Sequence, residues 1–310
     1  MLSALAADFA ALEGVSVHVL NDVRYDPAKL SGCTTHSIAD ADEHRRRVVS
    51  LAAGAAWTVV IAPEFGGLLL EQCRAVERAG GRLLCPGPAL VELAGDKHTL
   101  AQHLLTRGVP APCGLALPVG APLPTNFRYP GVLKPRDGAG SWGVERLAAW
   151  SDRRAPWPAR LEQVCPGIPA SVAVLCGPGR TLALTTCRQR LGGVSGFEYQ
   201  GGELPLAGVL GARAEALALR AIGALAAPLG YVGVDVVLGA DPAGADDFVI
   251  EVNPRLTTSY VGLRQLCTAN LAGAMLALAA GREVQLSWRG GSIQFDASGA
   301  WQWSPDTSNS

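Results

Sequence analysis

Asp235, Glu251 and Asn253 are the residues of this chain whose types and spacing most directly imply chemistry. They lie in YVGVDVVLGADPAGADDFVIEVNPR, Tyr231 to Arg255, where two apolar runs flank a segment rich in Gly, Pro, Ala and Asp. Such a pattern predicts a β-hairpin. With the reversal centred near Ala243, Asp235 falls opposite Glu251, and the alternation of side chains along a strand puts Asn253 on the same face as Glu251. Two carboxylates opposite each other on neighbouring strands sit roughly 5 Å apart and repel, so either one takes a proton or a cation lies between them. An all-oxygen ligand set favours Mg²⁺, with Mn²⁺ as a substitute, because such ions complete their shell with water and phosphate oxygens. The alternative is a hairpin whose charged face is simply solvated.

Other segments carry chemistry of the same kind. VLKPRDGAGSWGV places Lys134 in an apolar run just ahead of a loop with Gly138, Gly140 and Gly143. The letters spell GxGxxG, yet a dinucleotide fingerprint needs a long helix after the glycines and an acid about 20 residues further on. Here SDRRAPWP, with Pro156 and Pro158, cuts any such helix short. What remains is a flexible loop, Gly138, Ala139, Gly140, Ser141 and Gly143, whose backbone N–H groups fold over phosphates beside a lysine point charge, or else a plain turn-rich loop. Lys97, in GDKHTL, lies near a helix start, where the dipole disfavours a cation, which points to another partner for its charge. In ARLEQVCPGIPASVAVL the strand LEQV breaks at Pro166 and Gly167, and such a break frees backbone groups suited to a purine edge; an ordinary bulge gives the same letters. Arg188 and Arg190 share one strand face in TTCRQRL, and Arg255 follows the hairpin. Their forked donors suit carboxylate or phosphate oxygens, and each is equally consistent with a surface position. His98 and His103 lack metal-ligand spacing, and no Ser-His-Asp or Cys-His arrangement can be argued.

These groups need a scaffold, and 310 residues are enough for one, burying about three quarters of the unfolded surface. A net charge of −1 and 17% charged residues leave no basic stripe for nucleic acid, and HRRR at His44 to Arg47 reads as a solvated helix face. Eight scattered cysteines without a CxxC pair fit a reducing cytoplasm. The start, MLSALAADFAALEG, carries Asp8 and no basic run, so it reads as an amphipathic helix, and the most apolar stretch, Leu271 to Ala280, is too short to span a bilayer. From Val15 to Pro86 strands at Val15 to Leu20, Trp57 to Pro63 and RLLCPG alternate with helices at Ala39 to Ala53 and Leu68 to Arg78, the rhythm of a parallel, Rossmann-like sheet. A helix follows through DKHTLAQHLLTRG. From Val132 onward strands dominate, with helices at Ala212 to Ala227 and Ser259 to Ala280, and SPDTSNS at the end reads as disordered. The class is α/β, passing to α+β in the C-terminal part.

In order and spacing, DKHTLAQHLLTRGVPAP, KPRDGAGSWG, LEQVCPGIPASVAVL, GVDVVL and EVNPRLTTSYVGLR resemble the ATP-grasp superfamily of carboxylate-amine ligases. Within it, GIPASV and NPRLTTSYVGL are most similar to the tyramine-glutamate ligases of methanofuran biosynthesis, with the lysine ligases of pyrrolysine biosynthesis more distant. The resemblance implies an N-terminal Rossmann-like subdomain over 1–90, a small ATP-grasp subdomain with the glycine loop over 91–177, and a C-terminal subdomain with the metal site over 178–310. It implies that Lys97 and Lys134 contact ATP phosphates under the Gly138 to Gly143 loop, that the backbone of Glu162, Gln163 and Val164 holds adenine, and that Asp235, Glu251 and Asn253 bind Mg²⁺. Arg255, with Arg188 and Arg190, would face the transferred phosphoryl group or the substrate carboxylate. Two departures stand out. Pro169 and Ala170 stand where an acid often holds the ribose, and the chain begins at a helix where many members begin with a strand, so the N-terminal sheet lacks a strand or the start is misplaced.

The implied reaction transfers the γ-phosphate of Mg-ATP to a carboxylate, after which an amine attacks the acyl phosphate to give an amide, ADP and phosphate. Partners are then small-molecule carboxylates and amines, glutamate and tyramine foremost, with no nucleic acid and no membrane; a homodimer is one open option for the assembly. The rivals are another amino-acid ligase, such as a lysine ligase, and a nucleotide-binding module without turnover.

Overall fold

The computed structural model describes residues 1–305. Helix α1 (Leu2–Ala10) buries Leu5, Ala6 and Asp8. Strand β1 (His18–Asp22) pairs in parallel with β2 (Thr34–Ile38), a strand the apolar pattern does not reveal because TTHSI is largely polar. Helix α2 (Ala41–Gly54) starts where the Asp40 side chain accepts from Glu43 N at 2.7 Å, while Glu43 Oε2 accepts from Ala39 N at 3.0 Å, a reciprocal cap for two otherwise unpaired donors. Helix α3 (Leu68–Arg78) buries Leu69, Cys73 and Val76, one helical stripe. The strands expected at Trp57–Pro63 and at RLLCPG are reduced to one parallel bridge, Thr58 with Leu83. The helix-and-strand alternation is present, but the described residues form no continuous parallel sheet. A mostly apolar cavity of 980 Å³ is lined by Leu5, Val19, Val59 and Ile61 among others, and so borders both β1 and the Trp57–Pro63 segment.

Helix α4 (Pro88–Gly95) is followed directly by α5 (Lys97–Thr106), whose N-cap Asp96 accepts from His98 N and Thr99 N. Strands β3 (Gly114–Leu117), β4 (Gly131–Pro135), β5 (Glu145–Leu147) and β6 (Ala159–Gln163) then form an antiparallel sheet in the order β3-β6-β4-β5 around Leu117, Leu133, Leu147 and Leu161.

The larger sheet holds β7 (Ile168–Gly177), β8 (Arg180–Ala183), β9 (Cys187–Gly192) and β10 (Glu198–Leu204), then β11 (Gly230–Leu238) and β12 (Phe248–Asn253) after helix α6 (Gly208–Gly223). Helices α7 (Tyr260–Leu266) and α8 (Leu271–Ala279) precede β13 (Ser292–Asp296) and β14 (Trp301–Ser304), and the strand order is β12-β11-β7-β9-β10-β13-β14, with β8 on β7. The single helix expected over Ser259 to Ala280 is two, because the chain turns at Cys267 and Asn270 caps α8 by accepting from Gly273 N. Strand β7 follows the Pro166–Gly167 break and pairs along its length with β11. Gly167 is required there, since a Cβ would lie 2.3 Å from the Leu238 carbonyl oxygen. Ser304 closes β14; the rest of the expected disordered tail, from Asp306, lies outside the described residues.

Alternation sorts the faces of this sheet. Val172, Val174, Val232, Val234 and Val236 pack with α5 and α6, whereas Ala173, Leu175 and Tyr231 pack with α7 and α8. Asp235 belongs by parity to the second face. Helix α1 is fastened to that side by Asp8, which accepts from Tyr260 Oη at 2.6 Å and Arg264 Nε at 2.9 Å. Asp8→Ala should therefore cost about 2–4 kcal/mol, since it strands a partly buried guanidinium and a buried phenol. The check is the urea midpoint of the full chain, with Asp22→Ala, on an exposed pair, as a control expected to leave it nearly unchanged.

Candidate active site

The hairpin of β11 and β12 brings Asp235 opposite Glu251 and Gly233 opposite Asn253. A bulge falls beyond this pair, between Asp235 and Val236, and leaves the register of the three polar residues intact. Asn253 Nδ2 donates to Asp235 Oδ2 at 3.0 Å and Gln189 Nε2 donates to Asp235 Oδ1 at 2.9 Å. Burial first, then the neighbouring Glu251 carboxylate, push the Asp235 carboxyl up to about 7. Glu251 moves the other way: burial would raise it, but Lys97 above all, then Lys134 and Arg255, bring it below its ordinary value.

Lys97 sits in the first turn of α5 with 8% exposure, and its Nζ reaches Glu251 Oε1 at 2.7 Å and the Gly138 carbonyl at 2.6 Å. Burial alone would lower its pKa, but the Glu251 carboxylate holds it above the usual lysine value. The partner implied by the unfavourable helix-start position is thus an acid from the hairpin. Lys134 in β4 lies directly opposite Arg160 in β6, two cations across a ladder. Glu162, on the same face as Arg160, resolves the repulsion: Oε1 is 2.5 Å from Lys134 Nζ and Oε2 accepts from Arg160 Nε at 2.6 Å. Arg160 is fully buried and also donates to the Pro112 carbonyl at 2.6 Å. Neither Arg160 nor the Glu162 side chain was singled out from the sequence, although the spacing R-x-E opposite a lysine is a readable signal.

Gly138 to Gly143 form an open loop after β4. Ser141, Gly140 and Gly143 have left-handed backbones (φ 62°, 67° and 68°), and the loop turns its Trp142 outward. Gly138 faces Lys97 through its carbonyl, whereas Ala139 is half-buried and Gly140 exposed. Strand β6 ends at Gln163, whose N–H donates to the Cys113 carbonyl at 2.9 Å. Beyond it, the backbone N–H and C=O of Val164 have no backbone partner among the described residues. Pro169 and Ala170 lie within β7 paired with β11, and neither supplies an acid.

Arg255 joins the cluster from the C-terminal end of the hairpin. Its Nε lies 2.9 Å from Glu64 Oε1, but the contact is not aligned as a hydrogen bond. Burial pushes the Glu64 carboxyl above the usual carboxylate range, against the opposing charge of Arg255. Glu64 follows the WTVVIAP segment, and nothing in its surroundings marks it as more than a loop acid. Arg188 and Arg190 are not brought to this cluster. They are exposed and leave β9 on the face opposite Gln189, and Arg190 Nη2 donates instead to the Phe295 carbonyl at 2.9 Å. The residue between them, Gln189, has the parity that reaches Asp235.

The donor set fits Mg²⁺. Asp235, Glu251 and Asn253 offer oxygens, and the Lys97 ammonium already stands against Glu251 as a cation. Among the described residues no group of three or more His, Cys, Asp or Glu is arranged to hold a metal, so an ion here would depend on the amide, water and ligand oxygens as well. Two buried lysines, the glycine loop and the free Val164 backbone fit the phosphates and base of a nucleotide.

A family model described as an ATP-grasp domain matches residues 94–259, and one described as a pre ATP-grasp 3 domain matches residues 15–91. No curated protein sequence matches the chain. Among solved structures, an ATP-grasp superfamily protein from Archaeoglobus fulgidus is 19% identical, with a TM-score of 0.65 over 91% of this chain and 92% of that one. N5-carboxyaminoimidazole ribonucleotide synthetase from Thermus thermophilus is 20% identical, with a TM-score of 0.72 over 94% and 79%. L-amino acid ligase from Bacillus licheniformis is 17% identical, with a TM-score of 0.70 over 94% and 76%.

With its carboxyl pushed up to about 7, Asp235 takes up a proton as the pH falls through neutrality. Adding Mg²⁺ favours the charged form and should move that titration to lower pH. Infrared difference spectra should show a protonated-carboxyl band that follows this shift and is missing in Asp235→Asn. A band indifferent to Mg²⁺ would remove Asp235 from the metal set.

Proposed function

The chain belongs to the ATP-grasp family and has its fold, and from that premise we propose that it is an ATP-dependent carboxylate-amine ligase. The observation that carries this reading is the convergence of Lys97, Lys134, Asp235, Glu251, Asn253 and Arg255 on one site. Lys97 and Lys134 hold phosphate oxygens as point charges, and the Gly138 to Gly143 loop folds its N–H groups over them. The Val164 backbone meets the adenine edge. Mg²⁺, held by Asp235, Glu251 and Asn253, would neutralise phosphate charge when bound. Arg255 anchors a carboxylate of the substrate, and a substrate carboxylate oxygen takes the γ-phosphoryl group as ADP leaves. An amine nitrogen then attacks the carbonyl carbon of the acyl phosphate and expels phosphate, leaving an amide. Placement and charge suffice for this chemistry, without a protein nucleophile.

The GIPASV and NPRLTTSYVGL segments support glutamate as the carboxyl donor and tyramine or a similar amine as the acceptor, in methanofuran-type cofactor synthesis within a reducing cytoplasm. The amino-acid ligase among the structural neighbours is in line with an amino-acid substrate. No helix among the described residues is long and apolar enough to cross a membrane.

With ATP, Mg²⁺, glutamate and hydroxylamine, ADP and a hydroxamate should appear together, and tyramine should divert the product to the γ-glutamyl amide. Lys134→Met should weaken nucleotide binding roughly tenfold or more, the scale of a lost charge-assisted contact, while His103→Ala should not. Protein that binds Mg-ATP yet yields neither ADP nor hydroxamate across a broad panel of carboxylic acids would be a binding module instead.

A further inference from the structure

Glu64 and Arg255 are an anion and a cation whose hydrogen-bonding capacity is almost unused. Glu64 is 7% exposed, and neither carboxylate oxygen has a hydrogen-bond partner among the described residues. Arg255 makes one long hydrogen bond, from Nη1 to the Leu256 carbonyl at 3.3 Å, and its Nε is unpartnered beside Glu64. Leaving the Glu64 oxygens and Arg255 Nε unmade is costly, because these atoms have given up water for a charge contact that is not aligned as a hydrogen bond. An arrangement of this kind is completed by a ligand that brings donors to the carboxylate and acceptors to the guanidinium.

The charges around the pair narrow that ligand. A carboxylate or phosphate alone would satisfy Arg255 but would be set against Glu64 and Glu251, both within electrostatic reach. An amine alone would satisfy Glu64 but would be set against Arg255 and Lys97. A molecule with an ammonium and a carboxylate close together answers both, and the 2.9 Å separation of the protein charges calls for the closely spaced head group of an α-amino acid. We propose that Glu64 is a substrate-contacting residue that receives the ammonium of an α-amino acid whose carboxylate lies at Arg255. The assignment rests on the ligase reading only for the fate of that amino acid, not for its binding. The turn after Glu64 also touches the glycine loop, with Gly66 N donating to Asp137 Oδ2 at 3.3 Å, so the amino-acid and nucleotide sites share a border.

The test is calorimetric binding to the full chain, with Mg²⁺ and a non-hydrolysable ATP analogue present, of the standard L-amino acids and then of the deaminated counterpart of the best binder (glutarate for glutamate). Wild type should bind the amino acid at least tenfold more tightly than its deaminated counterpart. Glu64→Gln should remove most of that preference by weakening the amino acid alone, with the counterpart and the ATP analogue held within about twofold. Failure of every amino acid to bind, equal binding of the deaminated counterpart, or parallel weakening of both compounds in Glu64→Gln would overturn the proposal. If Glu64→Gln does not fold, the wild-type comparison still decides. Binding with the expected preference but without hydroxamate formation would uphold the amino-acid site and remove the ligase reading.

Discussion

The site depends on keeping carboxylates that repel one another side by side and out of water. Asp235 and Glu251 face each other across the hairpin, and Glu64 lies close enough to Glu251 to feel its charge. Lys97 matches Glu251, Arg255 stands against Glu64, and Asp235 relieves its own share by holding its proton up to about 7. Each cation arrives from a different stretch of chain, so the charge balance and the assembly of the fold are the same problem. Helix α5 contributes Lys97, β4 contributes Lys134, the hairpin contributes the acids and Arg255, and the N-terminal part contributes Glu64.

That dependence explains which parts of the site were legible. The hairpin register followed from one local fact, a turn-rich segment centred between two apolar runs, and strand alternation did the rest. Lys97 was legible for a physical reason as well, since a buried cation at a helix start needs compensation from elsewhere. Gln189 was not, because Arg188 and Arg190 attract attention by their charge while alternation places them on the wrong face. Glu64 was invisible for a different reason. It is a lone acid in a loop of another part of the chain, and only the three-dimensional meeting with Arg255 gives it meaning.

The fold shows the same division. Segments whose apolar period is set by burial on both sides, such as β7 and β11, were readable from their letters. The N-terminal sheet was readable only as a rhythm: WTVVIAP has the composition of a strand, yet a strand needs a neighbour for its backbone groups, and on one side this segment meets a cavity. Composition reports what a segment prefers, whereas pairing depends on what lies beside it.

The pairing of the lysines bears on how a polyphosphate would be accepted. Lys97 is already matched by Glu251, whereas Lys134 shares the single Glu162 carboxylate with Arg160, so only that trio offers an arriving anion one uncompensated positive charge. A triphosphate entering alone would add several negative charges to a site that already holds Glu64, Glu251 and Asp137. To reach Lys97 it would have to displace Glu251, and that carboxylate would then need a cation of its own. If Glu251 helped hold an ion carried in with the phosphates, Lys97 would be left for the phosphate. Glu251 would then help hold the divalent cation and Lys97 the phosphate, so the Lys97–Glu251 pair and the oxygen set of the hairpin would act together.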